Sequence, residues 1–195
     1  MKKIVVILSL LATVTLMASN SMADSIMNRL GITGRLGFIV PSNSTEVAIG
    51  TVGTNTDFIG GGGLIYGITD HIAAEIDITH ASFGSAAGLD FDITNVSLGG
   101  QYRFLNLTIS QLTPYVGGGL DILINGVSNG SADNVVGGHI SGGVDYFLTK
   151  QLAFNLEAKG VIAPDADFRS PGGIKLGTVD PTSFSLTFGV RYFFY

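Results

Sequence analysis

The sequence predicts an all-β chain: a closed, up-and-down antiparallel transmembrane β-barrel of eight strands whose outer face is solvated by hydrocarbon. Three observations predict it. The body of the chain divides into segments whose apolar residues recur at every second position, the period of a strand with two unlike faces. Short connections join these segments at one end and longer polar ones at the other. Charged residues make up only 13% of the chain, about half the ~25% usual in soluble domains.

The first residues stand apart from this pattern. "MKKIVVILSLLATVTLMASNSMA" begins with Lys2 and Lys3, continues as an apolar run from Ile4 to Met17, and ends in Ser21-Met22-Ala23. A basic start, an apolar centre and small residues at the positions a signal peptidase reads make residues 1–23 a secretory signal peptide, cleaved after Ala23. The polar stretch from Ser19 to Ser21 comes too soon for a spanning helix, which needs ~20 apolar residues. Residues 24–195 are then the exported barrel.

Eight segments follow in order. Ile32–Val40 turns Ile32, Leu36, Phe38 and Val40 outward. Phe58–Ile68 turns out Leu64, Tyr66 and Ile68, and Ile72–Ala81 turns out Ile72, Ala74, Ile76 and Ile78. Phe91–Phe104 presents Val96, Leu98, Tyr102 and Phe104; Tyr115–Ile124 presents Val116, Leu120, Ile122 and Ile124. Val136–Phe147 presents Ile140, Val144 and Tyr146, and Leu152–Val161 presents Leu152, Phe154 and Leu156. The last segment, Ser183–Tyr195, carries Phe184, Leu186, Phe188, Val190, Tyr192 and Phe194 in one unbroken row. Most segments have about the 9–11 residues that a tilted strand needs to cross a bilayer. An even number of strands closes the sheet without an edge, as lipid demands.

The connections "TDH", "LNLTISQLT" and "LTKQ" belong to the periplasmic side, and the longer ones, including "IAPDADFRSPGGIKLGTVDPT", to the extracellular side. Tyr66, Tyr102, Phe104, Tyr146, Phe154, Tyr192 and Phe194 gather towards the short-turn end, as an interfacial aromatic girdle would. The ending "TFGVRYFF" places Thr187, Gly189, Tyr192 and Phe194 in a pattern that resembles the C-terminal signal recognised by the bacterial barrel-assembly machinery, with Tyr195 one residue beyond it.

Three stretches resemble the OmpW family of small outer-membrane channels: "GRLGFIVPSNS", "GGGLIYGITDHIAAEIDITHASF" and "LTPYVGGGLDILI". The resemblance implies an eight-stranded barrel in the outer membrane of a Gram-negative bacterium that passes small hydrophobic compounds.

The inward parity can be read for function independently. Arg35, Glu75, Arg103, Asp145, Glu157 and Arg191 lie in the periplasmic half, three cations and three anions. Buried charges persist when paired, so these six are expected to form a salt-bridged plug. Asp77, Asp121, His139 and Lys159 lie near mid-depth. Towards the outside, Ile39, Ile59, Phe91, Ile93, Leu123 and Val161 form an apolar upper lumen. Eight strands leave too little width for an open aqueous pore. An apolar chamber above a charged floor suits a hydrophobic guest that enters from outside and leaves sideways into the membrane. The alternative is that the six apolar residues merely pack the mouth of a structural or adhesive surface barrel, whose loops carry Asp133, Asp165, Asp167, Arg169 and Lys175.

Other classes fare worse. A net charge of −5 without a basic cluster argues against nucleic acid. The runs Gly60–Gly63 and Gly117–Gly119 are not followed by a helix pattern, so they offer no phosphate cradle and no nucleotide cofactor is expected. His80 and Ser82 share a face, with Asp92 across the hairpin, a weak likeness to lipid A deacylases; a polar rim at the lipopolysaccharide headgroups is the preferred reading, and no enzyme is expected. His71, His80 and His139 lack ligand spacing for a metal, and His139 is read as a partner of Asp121 or another neighbour. The expected partners are therefore outer-membrane lipid and lipopolysaccharide, the assembly machinery and small hydrophobic solutes.

Overall fold

The computed structural model describes residues 25–41, 45–47, 50–52, 56–84, 90–105, 111–127, 131–170, 172 and 175–194. The expected signal peptide, residues 1–23, and Tyr195 lie outside the described residues. The strands are β1 (Leu30–Pro41), β2 (Thr45–Val47), β3 (Gly50–Val52), β4 (Asp57–Gly67), β5 (Ile72–Gly84), β6 (Asp90–Arg103) and β7 (Leu112–Val127). They continue as β8 (Ser131–Ala132), β9 (Val135–Phe147), β10 (Leu152–Ile162), β11 (Ala166–Arg169), β12 (Lys175–Val179) and β13 (Ser183–Phe193).

Eight of them close into a barrel in the order β1-β13-β10-β9-β7-β6-β5-β4. Every pairing is antiparallel, and β13 closes the ring against β1 from Gly31↔Phe193 to Pro41↔Ser183. The driving pattern is plain in β13: odd-numbered residues from Ser185 to Phe193 are buried and the even-numbered row is exposed. The same alternation exposes Leu36, Phe38, Ile78, Leu98, Leu120 and Phe188 on one continuous outer wall. Among the described residues no second layer of protein covers this apolar wall, which suits hydrocarbon as its solvent.

The short-turn end carries one group of aromatics, while the outward Phe38–Phe58 pair and Phe184 lie towards the other end. Tyr102 packs edge-on against Phe104, and Tyr192 against Phe194, with ring centroids 5.1 and 5.3 Å apart. His71 stacks on Tyr102 from the adjoining turn. At the opposite end the long connections depart from their reading as plain loops. They hold the five short strands β3-β2-β12-β11-β8, which pair into a separate sheet outside the barrel. Within it Arg169 lies 3.6 Å from Asp133 and 3.4 Å from Asp167, and Lys175 lies 2.6 Å from Asp167. The hydrogen bond and charge of Lys175 hold the Asp167 carboxyl below the usual carboxylate range.

Several strands begin earlier than their sequence segments, β7 most of all: the segment read as starting at Tyr115 starts at Leu112, and Pro114 pairs with Val144. Proline cannot donate to a ladder; it sits at the first turn of the strand, where one lost rung is tolerated.

Candidate functional site

The lumen is built in successive tiers. The lowest is an apolar floor at the periplasmic mouth. Ile26, Ile65, Ala73, Phe147, Ala153 and Phe193 pack together there, all essentially buried. Ile26 precedes the first strand. It is held under the barrel by a hook in which Asn28 adopts φ 59°, a left-handed conformation that Asn tolerates better than most residues. Asn28 N–H donates to Gly67 O at 2.8 Å, and Gly67 N–H donates to Arg29 O at 3.1 Å. The Arg29 guanidinium lies 5.5 Å from the Phe193 ring centroid, so a cation–π contact clamps hook to floor.

Above the floor lies a lattice of buried charge. Arg35 Nη1 is 2.5 Å from Glu157 Oε1, and its Nη2 is 2.6 Å from Glu75 Oε1 and 3.0 Å from Asp77 Oδ1. Arg191 bridges Glu75 at 2.9 Å and Asp145 at 3.0 Å, and Arg103 reaches Asp145 at 2.8 Å. All six residues read from inward parity thus meet in one network. Asp77, placed at mid-depth by sequence, is drawn into it by Arg35. Sequence reasoning missed Tyr115, Asn155 and Gln101. The Tyr115 hydroxyl donates to Glu157 Oε2 at 2.7 Å, Asn155 Nδ2 donates to Asp145 Oδ1 at 2.8 Å, and Gln101 Nε2 donates to Glu75. Neutral residues carry no charge pattern to flag them, although Tyr115 shares the inward parity of Asp121 and Leu123. Glycine makes room for it: a Cβ at Gly143 would sit 2.5 Å from the Tyr115 hydroxyl.

At mid-depth, Asp121 is wholly buried and accepts from His139 Nδ1 at 2.6 Å, Ser97 Oγ at 2.6 Å and Asn95 Nδ2 at 2.8 Å, with Lys159 Nζ 3.1 Å away. These partners sit on three strands, β6, β9 and β10, and with Asp121 on β7 they brace the lumen.

The upper tier is a small chamber. Ile39, Ile59, Ile93, Leu123 and Val161 line it. Phe91 opens β6, and its side chain lies outside the described residues. Ala81 joins this apolar ring, packed against Ile39 and Ile59 with Ile93 beside them. Below the ring lies a shelf the sequence reading did not anticipate: Thr79, Asn95, Ser185 and Thr187, uncharged hydrogen-bonding groups set beside Lys159 and Glu157, with which Ser185 and Thr187 pair. The free room is about 30 Å3, space for a water or two at most. The ring is closely packed and the chamber is narrow.

Other sequence candidates fall outside the lumen. Ser82 Oγ lies 3.2 Å from His80 Nε2, and His80 Nδ1 lies 3.0 Å from Thr94 Oγ1, all exposed on the outer wall. Asp92 is the register partner of Ser82, and the His80 ring nitrogen that a triad carboxylate would hold meets the Thr94 hydroxyl instead. Thr187 and Gly189 of the C-terminal pattern face inward, while Tyr192 and Phe194 face out.

Comparison with known proteins agrees with this architecture. A family model, the outer membrane protein beta-barrel domain, matches residues 8–193. No curated protein sequence matches the chain. Among solved structures, OprG from Pseudomonas aeruginosa superposes with a TM-score of 0.69 at 16% identity, covering 90% of this chain and 100% of that one. Neisserial surface protein A gives 0.64 at 18% identity, covering 85% and 97%. AlkL, solved in lipid bilayers, gives 0.59 at 18% identity, covering 91% and 97%. At such identities the likeness is one of fold.

Proposed function

The chain belongs to the outer membrane protein beta-barrel domain family, and from that premise we propose that it is a channel admitting small hydrophobic molecules from outside the cell, with lateral release into the membrane. One observation carries the proposal: among the described residues the lumen is sealed below by an apolar floor and a lattice of buried charge, while its upper tier is an apolar ring around a small chamber. The Ile26–Phe193 floor and the Arg35–Glu75–Arg191 lattice bar the straight path to the periplasm. A guest that parts the Ile39–Ile59 ring can therefore only return or leave through the wall. The hydroxyl shelf refines the guest to an apolar body with one uncharged hydrogen-bonding end, since a charged end would meet Asp77, Lys159 and their paired neighbours. On this reading residues 1–23 are the export signal, and the C-terminal row addresses the chain to the assembly machinery.

No catalytic role is assigned to Ser82 and His80. A hydroxyl in the third position cannot compensate an imidazolium as a carboxylate does. Lipid A from cells with and without the gene should have the same acyl chains by mass spectrometry.

A second reading, a surface barrel that works through its exterior, is favoured by the five-stranded sheet and its Arg169–Asp133–Asp167–Lys175 cluster. Uptake by liposomes containing the purified barrel separates the two. The channel is expected to speed entry of apolar solutes and to ignore ionic ones of equal size. Indifference to every solute would leave the surface-barrel reading.

A further inference from the structure

The geometry points to the extracellular end of the β10–β13 seam as the port through which a guest leaves the chamber; this rests on the channel reading above and adds where the wall opens. Inside, Val161 and Ser183 line the chamber. Outside, the same two residues line an open groove of about 330 Å3 in the wall, together with Val40, Ile140, Ile162 and Phe184. The two spaces are thus separated by the thickness of one paired rung, Val161↔Ser183.

The register explains the groove. Ile140, Gly160, Phe184 and Val40 lie side by side in one row across four strands, all on the outer face. Gly160 leaves a gap in that row, because a Cβ placed there would meet no atom within 4 Å. Ile140 and Ile162 flank it at 73% and 72% exposure, so the groove is apolar and lies in the lipid-facing wall. The seam is also weakly closed above. Backbone pairing of β10 with β13 ends at Val161↔Ser183. Beyond it the strands are joined through Thr182 Oγ1, which accepts from Ala163 N–H at 3.5 Å and donates to Ala163 O at 3.4 Å, both long for good hydrogen bonds. Next to it Pro41 ends β1 opposite Ser183 without an N–H to give. Separating one or two rungs would join chamber to groove and deliver a hydrophobic solute directly into hydrocarbon.

Gly34 supplies a matched control: it too faces outward, on β1, and a Cβ there also meets nothing within 4 Å. Uptake of an apolar fluorescent alcohol by proteoliposomes is measured for the unmodified barrel, Gly160→Ile and Gly34→Ile. Filling the groove with Gly160→Ile is expected to slow uptake at least fivefold, with Gly34→Ile unchanged. An equal response of the two, in either direction, overturns the port. A second test uses Gly160→Cys with Phe184→Cys, directly paired across the seam. The oxidised protein should be slow and the same sample should recover on reduction; no change on reduction overturns the assignment. Uptake by the unmodified barrel that neither test alters would sink the port and leave the channel standing. No uptake by the unmodified barrel would remove both.

Discussion

Arg191 and Glu75 meet across the lumen, 116 residues apart in sequence, with Arg191 Nη2 donating to Glu75 Oε1 at 2.9 Å. Arg191 also donates to both Asp145 oxygens, and its side chain has no exposed surface. The pair fastens the last strand of the barrel to its far wall. Removing one partner of a buried ion pair leaves the other uncompensated, at a cost of about 3–5 kcal/mol. Arg191→Met should lower stability by that amount in urea unfolding from lipid vesicles, whereas Lys159→Met, whose charge is less buried, should cost less.

Tyr115 and Gly143 are complementary, one filling what the other leaves empty. Tyr115→Phe removes the donor to Glu157 and the acceptor for Asn155, for a loss of about 1–3 kcal/mol. Gly143→Ala should cost a similar amount by overpacking, and the double change less than the sum of the two. Additive losses in a double-mutant cycle would show that the fit is not a coupled one.

The depth scale of the outer wall can be checked on β13. Phe188 lies halfway along the strand and Tyr192 near its periplasmic end. Arginine on a lipid-facing wall costs about 2–4 kcal/mol at the midplane and about 0–1 kcal/mol near the interface. Phe188→Arg should therefore destabilise the barrel far more than Tyr192→Arg. Equal costs would mean that water, rather than hydrocarbon, lies against that row.

Docking of the hook depends on one side chain. Ile26→Asp would bury a charge among Ile65, Phe147 and Phe193, so residues 25–29 should undock instead. Amide exchange at Asn28 and Gly67, which donate to Gly67 O and Arg29 O respectively in the closed floor, should rise by orders of magnitude while the lattice amides above remain protected.

Outside the membrane, Asp167 offers a titration with a defined sign. Its carboxyl is held low by Lys175, so the contact is present above the ordinary carboxylate pKa and is lost as pH falls through the depressed one. Carboxyl carbon shifts followed by NMR should give a midpoint for Asp167 below the ordinary carboxylate value, and Lys175→Met should raise it.

The sequence made the barrel legible through one repeated feature. Rows such as Phe184 to Phe194 expose a two-residue period because lipid accepts only one kind of side chain there. Inward charges were legible for the complementary reason, since Arg35 or Asp145 on the odd parity has no other place to go. Which charge meets which was not legible. Arg35 reaches Glu75 and Glu157 at separations of 40 and 122 residues, and closure of the ring sets those distances. The floor escaped notice because Ile26 lies before any periodic segment and Phe193 is masked by its aromatic neighbours. Strands β2, β3, β8, β11 and β12 have two to five residues each, too few to display a period.

On the channel reading a hydrophobic guest occupies the upper lumen. Methyl-labelled, otherwise deuterated barrel in bilayers, given a protonated apolar alcohol, reports this through intermolecular NOEs. Cross-peaks from Ile39, Ile59, Ile93, Leu123 and Val161, with none from Ile26 or Ile65, are the predicted result. Cross-peaks confined to outward methyls such as Leu36, Ile78 and Leu120 would contradict it.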